Sequence, residues 1–221
     1  MTLTDIKDKL SALREPRELP VMKNRLLWSA GFALFGIILG ILSKWLDNLA
    51  IDDSVWWQRI LGVLDLGNVF SGFAVWFALA LAIAVFSRTP GRAAVNVVLF
   101  FAGMCAAYHI WTLAFSGFDP GAYMLIWYAI TLLSPLFAAA CWYAKGAKPV
   151  NVALCCLILA VMSMSCFSVG PVYFYFNGVI NALLFAAAAI ILYKSPKQSA
   201  ISTVCGIVLS MFLMPLLPFG I

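Results

Sequence analysis

His109 is the only histidine in the chain. Imidazole is the side chain best suited to hold a ligand or respond to pH near neutrality. It lies about 16 residues into an apolar run, roughly 24 Å from that run's start at 1.5 Å per residue. Tyr108 precedes it and Trp111 follows. No sulfur or carboxylate motif stands beside it, so the choice is between an interfacial histidine bonded to a carbonyl and a contact to a ligand. Asn177 and Asn181 are four residues apart, which would place both amides on one face of a helix. Amides in lipid need partners, either across a helix contact or on a bound molecule. Trp127 and Tyr128, Tyr173 and Tyr175, and Asn68 and Ser71 fall at similar depth. The expected ligand-binding set is therefore His109, Tyr108, Trp127, Tyr128, Tyr175, Asn177, Asn181 and Asn68, lining a shallow aromatic-polar pocket.

No catalytic residue, metal site or cofactor is expected. The chain has no G-x-S-x-G, H-E-x-x-H or Walker loop. The six cysteines all fall in apolar runs and form no C-x-x-C pair. Adjacent Cys155 and Cys156 would point about 100° apart on a helix and could not clamp one metal. They read as small hydrophobes. Asp119-Pro120-Gly121 reads as a turn.

These residues are carried by a chain that is 64% hydrophobic and 10% charged. A soluble domain is roughly 45–50% apolar and about 25% charged. A spanning helix needs about 20 apolar residues, and seven runs approach this: 26–43, 69–86, 93–115, 122–144, 150–169, 172–193 and 199–214. Their centres are uncharged. Backbone groups in lipid must pair within the segment, so the spans are helices. The expected fold is an all-α polytopic transmembrane helical bundle of about seven spans. Residues 1–24 form an amphipathic cytoplasmic segment and 25–221 the membrane domain, with one sizeable outer loop at 44–68. The first run reads as a retained span rather than a cleaved signal.

Basic residues set orientation. With the amino terminus inside, Lys7, Lys9, Arg14, Arg17, Lys23, Arg25, Arg88, Arg92, Lys145, Lys148, Lys194 and Lys197 all fall inside, twelve of the 14 Lys and Arg. Only Lys44 and Arg59 fall outside, and the carboxyl terminus is outside too. The net charge of +5 is thus topogenic, so nucleic acid is not an expected partner, whereas anionic lipid is. Leu3, Ile6, Leu10 and Leu13 recur at helical spacing, giving a surface helix over 2–15 that rests on the membrane or docks a cytoplasmic protein. Trp56 and Trp57 mark an interfacial helix in the outer loop, an anchor or a lid.

Three turns look alike: Phe86 to Arg92 followed by Val95-Asn96-Val97, Tyr143 to Pro149 followed by Val150-Asn151-Val152, and Tyr193 to Lys197 followed by Ile201-Ser202-Thr203. They suggest one leading span and three helical hairpins, by duplication or by the shared needs of tight turns. Gly36 and Gly40 form a G-x-x-x-G, expected to pack within the chain rather than between copies. Ser134-Pro135 is expected to kink its helix. Ala138 to Ala140 and Ala186 to Ala189 predict a tightly packed inner half beneath an open outer half.

Gly36 to Gly40, Phe86-Ser87-Arg88, Tyr108-His109 and Trp142-Tyr143-Ala144-Lys145 carry a resemblance to small uncharacterised multi-pass bacterial membrane proteins. That resemblance implies a bacterial cytoplasmic membrane and no particular activity. Size and composition are also similar to the substrate-binding components of energy-coupling-factor transporters, which have six spans and both termini inside; no residues carry over. The leading functional expectation is a transport or solute-binding membrane component using the outer pocket. The alternatives are a non-catalytic accessory subunit of a membrane complex and a membrane enzyme acting on lipid. The expected partners are membrane lipids, a small-molecule ligand, and a membrane or cytoplasmic protein.

Overall fold

The computed structural model describes residues 11–16, 25–146, 148–170 and 172–214. Among them nine helices follow one another: α1 (Arg25–Asp47), α2 (Trp56–Val63), α3 (Leu66–Ser71), α4 (Phe73–Phe86), α5 (Pro90–Trp111), α6 (Gly121–Ala144), α7 (Pro149–Cys166), α8 (Val179–Leu192) and α9 (Pro196–Leu213). A π-helical turn, Thr112–Ser116, extends α5. An antiparallel hairpin of β1 (Phe167–Val169) and β2 (Phe174–Phe176) separates α7 from α8. α1, α5 with its extension, α6 and α7 are long and apolar enough to cross a membrane. α4 and α8 are apolar but only 14 residues each. The polar first turn of α9, Pro196-Lys197-Gln198-Ser199, dilutes an otherwise apolar helix. The surface helix expected over 2–15 lies outside the described residues except for its end, where Ser11 is helical and a turn follows.

α4 is apolar on every side and sits at the centre, as such a helix must; nine of its 14 residues are buried. It packs against α5, α6, α7 and α8. Trp76 on α4, 1% exposed, meets Phe100 of α5 and Trp127 of α6 with ring centroids 6.1 and 6.2 Å apart. α1 lies along α5 so closely that backbone meets backbone. A Cβ added to Gly36 would stand 2.0 Å from the Phe100 carbonyl oxygen, and one added to Gly103 2.3 Å from that of Ala33. The G-x-x-x-G is therefore used inside the chain. α9 meets α7 through Gly206 in the same way, with Leu159 Cβ at 2.9 Å from the corresponding position.

Two expected spans are interrupted. The run 69–86 is not one helix, because the chain breaks at Gly72, whose ψ of 163° is extended. The break frees the Phe70 carbonyl, which accepts from Trp76 Nε1 at 2.8 Å and from Ser43 Oγ at 3.4 Å. The run 172–193 starts as a strand rather than a helix. Gly178 has φ +120°, a conformation that L side chains rarely adopt, and α8 begins only after it. Asn177 and Asn181 therefore do not share a helical face. Pro135 stays within α6; the Thr131 carbonyl that its missing N–H would have served accepts from Ser134 Oγ at 2.8 Å.

One end of the bundle gathers the turns that carry basic residues. There Ser29 Oγ donates to Asn96 Oδ1 at 3.0 Å, Asn96 Nδ2 to Ser87 Oγ at 3.2 Å, and Ser87 Oγ to the Ile83 carbonyl at 2.7 Å. Trp142 Nε1 donates to the Ser87 carbonyl at 2.9 Å. Arg14 reaches in over the Trp142 ring and donates to the carbonyls of Trp142 and Val85. Lys145 Nζ donates to the carbonyls of Ile191 and Tyr193. Both cations thus sit on the last carbonyls of helices, where the helix dipole is negative.

The first and third turns are built alike. α4 and α8 each follow a glycine, Gly72 or Gly178, and run for 14 residues. The caps Thr89 and Ser195 then accept from Arg92 N and Gln198 N, with proline next in the chain. Seven positions beyond those caps, Asn96 and Ser202 are both buried. The middle turn is solved differently. Asn151, fully buried, accepts from Lys148 N at 2.7 Å and donates to the Tyr143 carbonyl at 2.6 Å. Replacing Asn151 by Leu keeps the branched shape and heavy-atom count but orphans both groups, at a cost of about 1–3 kcal/mol for each. A lowered thermal midpoint in detergent is the expected result, and an unchanged one would show that the turn does not depend on this amide.

Candidate functional site

The other end of the bundle carries the aspartates of the described residues. α1 runs one turn past the expected end of the first span and delivers Lys44 and Asp47 to the rim, three residues apart on one face. Their side chains are only 8% and 21% exposed, and Lys44 Nζ lies 3.6 Å from Asp47 Oδ2. Tyr108 on α5 donates to Asp47 Oδ2 at 2.8 Å, and Ser71 at the end of α3 donates to Asp47 Oδ1 at 2.6 Å. Lys44 Nζ also lies 5.1 Å from the centre of the Tyr108 ring and 5.6 Å from that of Phe118, within range of attraction by the ring quadrupole. Tyr123 on α6 stands against Tyr108 and donates to the Ser71 carbonyl at 3.5 Å.

These groups surround an open cavity of about 310 Å³ lined by Asp47, Ser71, Tyr108, Phe118, Pro120 and Tyr123. A smaller cavity of about 190 Å³ lies beside it, and Asp47 is on the wall of both. Leu61 and Gly62 of α2 cover part of the smaller one. Trp57 of α2 stacks on Trp45 of α1, ring centroids 6.4 Å apart, so the loop holds a helix at the expected place, clamped to the bundle. Further along the loop, Ser54 donates to Asp52 from its hydroxyl and its backbone N–H. The hydroxyl contact is the larger influence, and together they hold that carboxyl below its ordinary range.

The eight expected site residues divide among several places. Tyr108 lines the larger cavity. Asn68 lines the smaller one and donates to Asp65 at 2.8 Å. His109 faces away from both cavities: its Nδ1 pairs with the Tyr128 hydroxyl and its Nε2 lies 3.5 Å from Asp119 Oδ1. Asp119 sits between Phe118 and Pro120, so His109 ties down the loop that forms one cavity wall. Trp127 is 7% exposed and belongs to the core. Tyr175 stacks on Tyr173 in the hairpin. Asn177 closes that hairpin, accepting from Ser168 Oγ at 2.8 Å and donating to the Ser165 carbonyl, and Asn181 donates to the Asn177 carbonyl at 2.9 Å. The side chains of Tyr175, Asn177 and Asn181 thus serve the hairpin and not the cavity.

Asp47 and Tyr123 of the cavity, and Lys44 beside Asp47, were not among the expected residues. The available signal was Lys44 itself, one of two basic residues that break the charge bias, placed three residues before an acid at the end of an apolar run. Among the described residues no three His, Cys, Asp or Glu side chains converge as metal ligands. Comparison with protein-family models, curated proteins and solved structures gives no match.

Proposed function

We propose that the chain is an integral membrane protein crossing the bilayer seven times, amino terminus inside and carboxyl terminus outside, and that it binds a small polar solute at its outer mouth as a solute-binding or transport component. The observation that carries this reading is the Lys44–Asp47 pair with Tyr108 and Ser71. Ionisable side chains within membrane helices are costly and usually mark a functional site. Here Asp47 lies on the wall of an open cavity, with the buried Lys44 beside it. The cavity presents a carboxylate edge, phenol and hydroxyl oxygens and three aromatic rings, which suits a solute carrying hydrogen-bond donors. The opposite end holds a plug of hydrogen-bonded side chains, Asn96, Ser87, Trp142 and Arg14, which supports a cavity open to one side. The charge bias supports placing that side outside. The α4–α5 and α8–α9 hairpins support a repeat-built membrane scaffold.

The test is a panel of amine- and hydroxyl-bearing solutes scored by thermal stabilisation of the purified protein. A stabilising solute that loses about tenfold in affinity, ~1.4 kcal/mol, in both Tyr108→Phe and Ser71→Ala is expected. A solute bound equally by wild type and both variants would place the site elsewhere.

A second reading, an accessory subunit of a membrane complex, is favoured by the hairpin. Val172, Phe174, Tyr175 and Phe176 are all substantially exposed there, an apolar row at the same end as the cavity. On that reading the hairpin, not Asp47, would be the sensitive position.

A further inference from the structure

We infer that the crevice between α6 and α7 binds the acyl chain of a membrane phospholipid with an anionic headgroup. The crevice has a volume of about 380 Å³ and is walled by Ala138, Ala140, Leu154 and Leu157 over a floor that includes Leu81 and Phe101. Ala-rich stretches were expected to pack this half of the bundle shut. Beside Ala138 and Ala140 the α6 side chains are too short to fill the space in front of Leu154, Leu157 and Ile158, and a trough remains.

No polar group is available inside. The hydroxyl of Ser134, the one polar side chain on the wall, already donates to the Thr131 carbonyl. A polar solute entering would give up its water for nothing. An apolar cavity of ~150 Å³ accepts benzene, so this larger trough has room for a run of methylenes. Its mouth opens sideways between Phe137 and Leu157, 58% and 49% exposed, where α6 and α7, both long enough to cross a membrane, face lipid.

In a bilayer an acyl chain gains little by leaving other chains, so selectivity must come from close packing and from the headgroup. The trough ends near Cys141 on α6 and Leu154 on α7. The α6–α7 turn, with Lys145 and exposed Lys148, lies one to two helical turns beyond, about 6 and 9 Å along the two helices at 1.5 Å per residue. That is where a phosphate would sit if its chain lay in the trough. The inference rests on the membrane reading alone and not on the solute site.

The protein would be reconstituted with vesicles of equal phosphatidylglycerol and phosphatidylcholine, extracted in mild detergent, washed and analysed by native mass spectrometry. Wild type is expected to retain one phospholipid per chain, enriched several-fold in phosphatidylglycerol. Ala140→Phe, which fills the trough, should lower occupancy at least fivefold; if that variant does not fold, Leu157→Trp narrows the mouth at a half-exposed position and should do the same. Lys148→Gln should keep a lipid but lose the headgroup preference. Equal retention by wild type and the filling variants, no retained lipid in wild type, or a second polypeptide in place of lipid would each overturn the assignment.

Discussion

Gly36→Ala is expected to destabilise the protein by about 3 kcal/mol, the upper end of ordinary overpacking. The added methyl would stand 2.0 Å from the Phe100 carbonyl oxygen and 2.9 Å from its carbon. Those are backbone atoms of α5 and cannot rotate away, so α1 must move. Movement of α1 would separate Ser29 from Asn96 at one end and shift Lys44 and Asp47 at the other. Gly31→Ala on the same helix is the control. Nothing lies within 4 Å of its Cβ position, and a helical Gly→Ala replacement on its own gains about 0.5–1 kcal/mol. Opposite signs for two identical substitutions five residues apart, read as thermal midpoints in one detergent, would establish that α1 is seated on α5 as described. Equal shifts would contradict it. Gly103→Ala meets the Ala33 carbonyl in the same contact, so its effect should not add to that of Gly36→Ala.

Asp47→Ala is the second large effect. It leaves Lys44, 6% exposed, with a charge that has lost its anionic partner, at a cost of roughly 3 kcal/mol. It also leaves the Tyr108 and Ser71 hydroxyls without their acceptor. Adding Lys44→Met should recover most of that loss, since a pair replaced together by apolar groups of similar size is often near neutral. Solute binding should not return with stability, because the carboxylate edge of the cavity is gone. Asp47→Asn separates the parts further. It keeps an acceptor for one hydroxyl and removes the charge, so it should fall between wild type and Asp47→Ala in stability. A double variant as unstable as Asp47→Ala would mean that the fold, and not the charge pair, depends on this position.

The four long helices were legible because an uncharged apolar run of about 20 residues satisfies its backbone in lipid only by coiling into a helix. The basic turns, the short helix at Trp56 and Trp57 and the glycine stripe were legible for similar local reasons. The breaks at Gly72 and Gly178 were not. A continuously apolar run has no period to lose, so a change from helix to strand leaves no mark on hydropathy. What allows each break is tertiary. The freed carbonyl of Phe70 is met by an indole six residues on, and the hairpin pairs Phe167 to Val169 with Phe174 to Phe176. The alternation of tyrosine and phenylalanine over 173–176, beside Gly170 and Pro171, favours strand and was the available hint.

The site was legible in part. Reading polar residues by depth found Tyr108 and Asn68, which share a cavity region with Asp47, but depth carries no azimuth. His109 is next to Tyr108 in the chain and so points about 100° away on a helix, toward Tyr128 and Asp119. Trp127 is likewise turned inward while Tyr128 is turned out. Lys44 and Asp47 read as loop charges in the sequence because the apolar run ends at Ser43, whereas α1 continues for another turn and buries the lysine against Tyr108 and Phe118.

The most direct test of the central claim is labelling from the two sides of the membrane. In a chain with Cys205, its one exposed cysteine, replaced by Ser, a single cysteine would be placed at Ser54 in the acidic-end loop or at Glu15 beside Arg14. Intact cells would then be treated with a membrane-impermeant maleimide. Ser54→Cys is expected to react in intact cells and Glu15→Cys only after permeabilisation, which puts the Asp47 cavity on the outer face and the Arg14 plug on the inner one. Reaction of Glu15→Cys in intact cells, with Ser54→Cys protected, would invert the protein and contradict an outward-facing solute site.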